Sequence, residues 1–386
     1  MRTLLIACLA SLAFAAAPTP AHANESNRDT VHFAGLAFTG AAAGAPDSLP
    51  VASRILHADG LLQTNTLLAR QLADTPMPHV ELRMGELATL DGTGSATAMA
   101  LALDREVTVV EEIAGQHKLL VELSAQLLFF DYRDMQVRLA YPVTVQRVDV
   151  MDQPPTTEQI EAAFRSLVQG TGTASLAGAS QAALARLRLP DSSALRMQLV
   201  KVAVAPDAEV PVALAARVQD GTLGHEFTKL LSSTLGMGLL PHQPGQAVGG
   251  TMAARFADGR VFTLKVPEPD YALELELEGF RQKTLKQTPA MRQELLGAYF
   301  RLRASEPLSG KTYLDHGFRH GATKTLPASQ AQFDLDAARY ETLLSGLAMF
   351  AAAAGGGDGE WLRQQQDPRT ATKQARAFQE LVEKCR

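Results

Sequence analysis

Apolar and polar residues alternate over several long stretches of this chain. Between His117 and Asp131, Val121, Leu123, Ala125, Leu127 and Phe129 fall on one side, and Glu122, Ser124 and Gln126 on the other. Met135, Val137, Leu139, Tyr141, Val143 and Val145 then alternate with Gln136, Arg138, Thr144 and Gln146. A period of two sends successive side chains to opposite faces of a pleated strand, so each run predicts a strand buried on one side. Arg133-Asp134 between them predicts a tight hairpin turn. A second set repeats the pattern: Tyr271, Leu273, Leu275 and Leu277 against Glu274, Glu276 and Glu278, then Leu296, Ala298, Phe300 and Leu302 against Tyr299, Arg301 and Arg303. Pro307 to Gly310 predicts the next turn, with a strand starting at Lys311.

Other segments carry helical spacing. Residues 51–73 predict one helix, or two broken near Gly60. Thr156 and Gln159 have capping-box spacing ahead of an apolar stripe of Ile160, Ala163, Phe164, Leu167 and Val168, which Gly170 and Gly172 end. Further helices are predicted over 181–187, 225–236, 337–350 and 371–384. Val31 to Thr39, Leu195 to Val204 and Val261 to Lys265 read as strands, the last after a Gly/Pro-rich loop over 241–260.

Strand, helix, antiparallel meander, helix therefore occurs twice. This predicts an α+β fold of two similar αβ sandwich domains in tandem, with helices on one face of each sheet. The domains span 28–170 and 191–354, joined by a small-residue linker, 171–190. A Gly-rich linker and a helix complete the chain over 355–386. Extended runs beginning at Asp104 and Asp270, 166 residues apart (104 to 270), are taken as the same point of the two copies.

Arg2, the apolar stretch Leu4 to Ala17 and Ala21-His22-Ala23 predict a secretory signal peptide, 1–23, too short to be a membrane span. Leu5 to Cys8 has the look of a lipobox, but Cys8 comes too early for one. Cleavage leaves Cys385 alone, which rules out an internal disulfide and reads as an incidental thiol. The chain carries 36 basic and 41 acidic residues, net −5, and loss of Arg2 makes this −6. That balance argues against nucleic acid or an anionic membrane as the main partner.

Pro269-Asp270-Tyr271-Ala272-Leu273 and Glu306-Pro307-Leu308-Ser309-Gly310-Lys311 give the chain a resemblance to a class of bacterial envelope domains. These are the periplasmic domain of the curli secretion channel, the lipoprotein activators of penicillin-binding proteins, and the amino-terminal domain of the Tol system's periplasmic propeller protein. The match covers residues 195–350 closely and 30–170 by order of elements. The resemblance implies non-enzymatic work in assembling or regulating envelope machines. The chain departs from those families in having neither a usable lipobox nor an insertion that reads as membrane-spanning hairpins, which argues against a pore.

Motifs for chemistry are sparse. Ser309-Gly310-Lys311-Thr312 matches the tail of a phosphate-binding loop, but Ser305 stands where the earlier glycine is needed and a strand follows, so a hairpin turn is expected. His316 and His320 lie four residues apart on a predicted strand, about 13 Å, too far to share a metal, and read as surface or rim histidines. Gly40 to Gly44 reads as a strand-to-helix loop. Phe129, Phe130 and Tyr132 are either a contact patch or core. No nucleophile elbow or zinc-protease motif occurs.

The expectation is a non-enzymatic periplasmic protein, without cofactor or metal, that binds another envelope protein. Its candidate contact surface is Glu274, Glu276, Glu278, Arg301, Arg303 and Tyr299, together with the meander edges. The alternatives are a hydrolase with an interdomain site, in which Asp315 and His316 would converge with a Glu or Ser, and a small-molecule or glycan binder.

Overall fold

The computed structural model describes residues 28–386 apart from 40–42, 44–48, 74–76, 86–95, 114, 191–193, 244–248, 328–332 and 358. The leader 1–23 with Cys8, and the loop Gly40 to Gly44 save Ala43, lie outside the described residues. The fold is α+β, with two sheets.

The first sheet contains β1 (Asp29–Phe38), β2 (Val80–Met84), β3 (Thr97–Ile113), β4 (Gln116–Asp131) and β5 (Gln136–Met151). The second contains β6 (Met197–Val204), β9 (Tyr271–Gln287), β10 (Met291–Glu306) and β11 (Lys311–Pro327), ordered β11-β10-β9-β6. The meanders β3-β4-β5 and β9-β10-β11 are antiparallel, and β1 and β6 add in parallel to β3 and β9. The turn before β5 forms as its sequence predicts, with Asp131 Oδ1 accepting from the amides of Arg133 and Asp134.

The two sheets share three irregularities, and β9 has one more at Leu285. A bulge leaves Ala34 unpaired in β1 and Val200 in β6, 166 residues apart (34 to 200). Asp104 in β3 and Glu278 in β9 are the bulged residues of the first meander strands, 174 apart (104 to 278). Arg138 in β5 and Tyr313 in β11 bulge in the third, 175 apart (138 to 313). Asp104 thus matches Glu278, and the sequence-based pairing of Asp104 with Asp270 is out of register. Asp270 lies before β9, where its carboxylate accepts from the Arg196 amide at 2.8 Å and ties the entries of β6 and β9 together.

The hairpin β7 (Gly250–Phe256) and β8 (Val261–Val266) falls in sequence within 191–354 but hydrogen-bonds to the first sheet. β8 joins β5, and β7 returns to β1 through Ala37↔Phe256 and Phe38↔Arg255, so the sheet closes on itself. Small side chains permit this. Ala98, Ala100 and Ala102 of β3, with Ala37 and Ala140, leave room for Met252, Ala254, Phe256, Leu264 and Val266 to pack against Leu128 and Phe130. Met99, Leu101 and Leu103, on the other face of β3, enter the larger core under the helices. Phe129 and Phe130 are both fully buried, one in each core.

That larger core is covered by α1 (Pro50–Ala58), α2 (Leu61–Ala73), α3 (Thr157–Gln169) and α4 (Leu176–Leu184). The break at Gly60 separates α1 from α2, and the capping box of α3 forms reciprocally between Thr156 and Gln159. Leu176, Ala177, Leu184 and Leu187, in the segment read as a linker, are buried in this core. The second sheet is covered by α5 (Val212–Gln219), α6 (Thr222–Leu235), α7 (Leu335–Ala354), α8 (Glu360–Arg363) and α9 (Pro368–Lys384). Gly346 of α7 sits so close to the sheet that a Cβ there would meet His320 Cβ at 2.8 Å and Phe300 Cε1 at 2.9 Å.

The glycines after α7 form a tight stop rather than the flexible linker that composition predicts. The amides of Gly355, Gly356 and Gly357 donate to the carbonyls of Ala351, Ala353 and Ala352. Trp361 then stacks on Phe318 at 5.5 Å, and Phe378, Leu381 and Val382 of α9 enter the second core. Cys385 is buried there too, and burial pushes its thiol up to about 12.

Leu239 and Leu240 join the two sheets. Leu239 exchanges backbone hydrogen bonds with Ala140 of β5 at 2.7 and 3.1 Å, and the Leu240 amide donates to Met197 of β6.

Candidate functional site

Residues of β9 and β10 alternate between the helix-covered core and an outer face, as their sequence pattern predicts, and the six candidate contact residues all belong to that outer face. Register builds a row of alternating charge across all four strands: Lys201 on β6, Glu274 on β9, Arg303 on β10 and Asp315 on β11. The next row opposes Glu276 and Arg301. These six side chains, with Leu275, line a shallow pocket of ≈ 200 Å³.

Arg301 is the hub of this ladder. Its Nε lies 2.7 Å from Asp315 Oδ1 and its Nη1 3.9 Å from Glu278 Oε1. The hydrogen bond to Asp315 raises the Arg301 pKa, while partial burial raises that of Glu278 against the pull of Arg301. The bulge brings the Glu278 carboxylate over Gly317, where a Cβ would meet it at 3.3 Å. Three glutamates read alone suggest an acidic face. With Lys201, Arg301 and Arg303 interleaved, the face is close to neutral, and exposed pairs of this kind contribute only a few tenths of a kcal/mol each.

Tyr299 faces a different feature. Further along the same face, it lines a groove of ≈ 420 Å³ with Leu295, Arg281, Lys283, Arg319, Trp361 and others. Gly297 of β10 is registered against both Gly321 of β11 and Arg281 of β9, and the glycines let the Tyr299 ring and Leu295 lie flat against the sheet there. The wall past β11 is the turn after α8. There Arg319 Nη2 donates to the Gln364 carbonyl at 3.3 Å. Among the described residues, Arg281 and Lys283 have neither an ion-pair nor a hydrogen-bond partner through their side chains. The ladder was legible in the sequence. The groove was not, because its cations and glycines come together only through the register of three strands and the turn after α8.

The outer meander edge is partly closed. Gln365 bonds both backbone groups of Arg319, and Gln374 Oε1 accepts from the Asp315 amide at 3.0 Å. The expectation of an open strand edge at β11 is therefore corrected over Asp315 to Arg319.

His316 and His320 stand at the rim rather than fully on the surface. Both are half-buried on the helix side of β11, where His316 packs edge-on to Phe318 at 4.9 Å, and burial lowers the pKa of each. Asp315 projects from the outer face, where it bonds Arg301, so Asp315 and His316 do not converge. Ser309 and Gly310 lie in the turn between β10 and β11, with Gly310 at φ 70°, and Lys311 opens β11. Among the described residues, no group of three or more His, Cys, Asp or Glu side chains is placed to hold a metal ion. None of the described helices is long and apolar enough to cross a membrane.

A second polar cluster lies between the sheets. The β3 bulge aims Asp104 at α6, where Oδ2 lies 3.5 Å from His225 Nδ1 and accepts from Gln126 Nε2 at 2.6 Å. Arg105 Nη2 bonds Glu226 at 2.6 Å and Glu122 at 3.3 Å. Among the described residues, His225 Nε2 is buried without a hydrogen-bond partner. Tyr340 is pushed up to about 12, chiefly by burial, with Arg217 4.5 Å over its ring.

No family model matches the chain, and no curated protein matches it. Among solved structures, it is similar to a Helicobacter pylori protein described as a neuraminyllactose-binding hemagglutinin homolog: 11% identity, 48% of this chain and 96% of that one, TM-score 0.22. A minor lipoprotein of Acinetobacter baumannii gives 12% identity over 41% of this chain and 91% of that one, TM-score 0.18. A hypothetical protein of Chlamydia trachomatis gives 14% over 48% and 95%, TM-score 0.20. Likenesses at these scores carry no argument about function.

Proposed function

We propose that this chain is an exported, non-enzymatic protein of the bacterial envelope that binds another envelope protein through the outer face of its second sheet. The observation that carries the reading is the join on one face of a charge ladder and a groove with unpaired cations. The signal-peptide pattern and the resemblance to curli, penicillin-binding-protein activator and Tol domains support the envelope setting. The motif residues of that resemblance, Asp270 and the turn Glu306 to Lys311, border this same sheet.

Site-specific photocrosslinking in the native host tests the reading. A crosslinker at Glu276 or Tyr299 is expected to trap one envelope protein, and a crosslinker at Glu158 on α3 is not. Equal yields from all three positions, or none from any, would refute the assignment of this face.

The pair Asp104–His225 favours a hydrolytic second reading, in which Asp104 orients His225 as a base. A His225→Gln variant with undiminished biological activity would eliminate it.

A further inference from the structure

We propose that the groove beside Tyr299 is a binding site for an organic anion, a carboxylate or phosphate group joined to a flat or apolar body. The inference rests on the reading of the outer face as the binding surface and names the chemistry that face selects. Three observations specify the ligand.

The charge lining is of one sign. Arg281 and Lys283 on β9 and Arg319 on β11 line the groove, and no acidic residue does. An unpaired guanidinium and an unpaired ammonium retain all their donors for an incoming oxyanion, and the planar fork of arginine suits carboxylate and phosphate alike. Arg319 is held in place through its bond to the Gln364 carbonyl, so its order is established before a ligand arrives.

The body of the ligand is specified by the floor. Gly297 and Gly321 stand opposite each other, and the Tyr299 ring and a Leu295 methyl lie down over them. A Cβ on Gly297 would already touch the Tyr299 ring at 3.4 Å. A flat or apolar group can lie against the floor that these two side chains make, and the volume of ≈ 420 Å³ falls within the range of small-molecule sites.

The third observation is an aromatic wall. Trp361 also lines the groove, 4% exposed and stacked on Phe318 at 5.5 Å, and gives the groove a rigid apolar side. Trp361 is also the chain's single tryptophan, so energy transfer starts from one known donor beside the groove.

The test is titration of the full mature chain with anilinonaphthalene sulfonate, an aromatic anion, read as energy transfer from Trp361. The expected result is one saturable site per chain, with phenyl phosphate displacing the dye at lower concentration than inorganic phosphate. Arg281→Glu and Lys283→Glu each weaken binding by about tenfold or more, the usual scale for losing a charge-assisted contact. Lys373→Glu, the same charge reversal on α9 outside the groove, leaves binding unchanged. Both groove residues are exposed and unpartnered, so their replacement does not threaten folding. Absence of saturable binding, or equal affinity in all three variants, overturns the proposal. Trapping of an envelope protein from Glu276 together with absent anion binding also overturns it, while leaving the outer-face reading intact.

Discussion

Gln365 pairs with the backbone of Arg319 as a neighbouring strand would: Oε1 accepts from the Arg319 amide at 2.9 Å, and Nε2 donates to its carbonyl at 3.2 Å. Gln374 treats the Asp315 amide in the same way four residues earlier. An unpaired edge strand is a template for adding another chain, and these two glutamines occupy that template. Replacing both with alanine is expected to cost about 1–2 kcal/mol through the orphaned edge groups. It should also make the protein self-associate. Sedimentation at several concentrations checks this, and a double variant as monodisperse as the parent would show that the plug has no protective role.

Glu106 caps a helix from another element. α1 begins Pro50-Val51-Ala52, its N-cap residue Leu49 supplies no side-chain acceptor, and the Glu106 carboxylate of β3 takes the amides of Val51 and Ala52 at 2.8 Å each. Burial pushes the Glu106 pKa up even though both hydrogen bonds favour the ionised form. Glu106→Ala leaves two helix donors unmet and is expected to destabilise by about 2 kcal/mol. Glu106→Gln, which can accept through only one atom, should lose about half as much. Urea unfolding of the two variants gives the ratio.

How far these features were legible in the sequence depends on the distance over which each is specified. The strands β4, β5, β9, β10 and β11 follow from local alternation, and α3 from its own capping box. β7 was missed because Thr251-Met-Ala-Ala-Arg-Phe256 alternates weakly, and its pairing with the first sheet depends on an alanine face more than a hundred residues earlier. Bulges leave no sequence mark, so Asp104 was matched to Asp270 and not to Glu278. The same limit divided the site. The glutamate–arginine ladder follows from direct opposition on adjacent strands, whereas the groove needs Arg281, Gly297, Arg319 and Trp361 from four separate stretches.

Arg105 holds the two halves of the molecule together electrostatically, bonding Glu226 of α6 and Glu122 of β4 from a mostly buried position. Removing the guanidinium leaves two glutamates facing each other at the interface. Arg105→Ala is expected to destabilise by about 2 kcal/mol, less than for a fully buried pair because water still reaches the site. A double-mutant cycle with Glu226→Ala should return a coupling energy of about 1 kcal/mol. Strict additivity of the two substitutions would mean that Arg105 acts through packing alone.

His242 gives the fold a pH dependence of defined sign. Burial lowers its pKa below the ordinary 6.5, against the favourable bond to the Leu199 carbonyl, and His225 nearby lowers it further. In the unfolded chain it protonates at the ordinary value, so just below 6.5 the unfolded state binds more protons. Stability then rises with pH. The contribution is complete above the unfolded value and drains away as pH falls from there toward the folded one. His316 and His320, also lowered by burial, act in the same direction. Denaturant midpoints should therefore decline from about pH 7.5 to about pH 5.5. Gln at position 242 can still donate to the Leu199 carbonyl but cannot take up a proton, so His242→Gln should flatten the decline without abolishing it. A slope identical to the parent's would mean that His242 titrates alike in both states, and that its burial between Gly224 and Leu199 costs the charged form nothing.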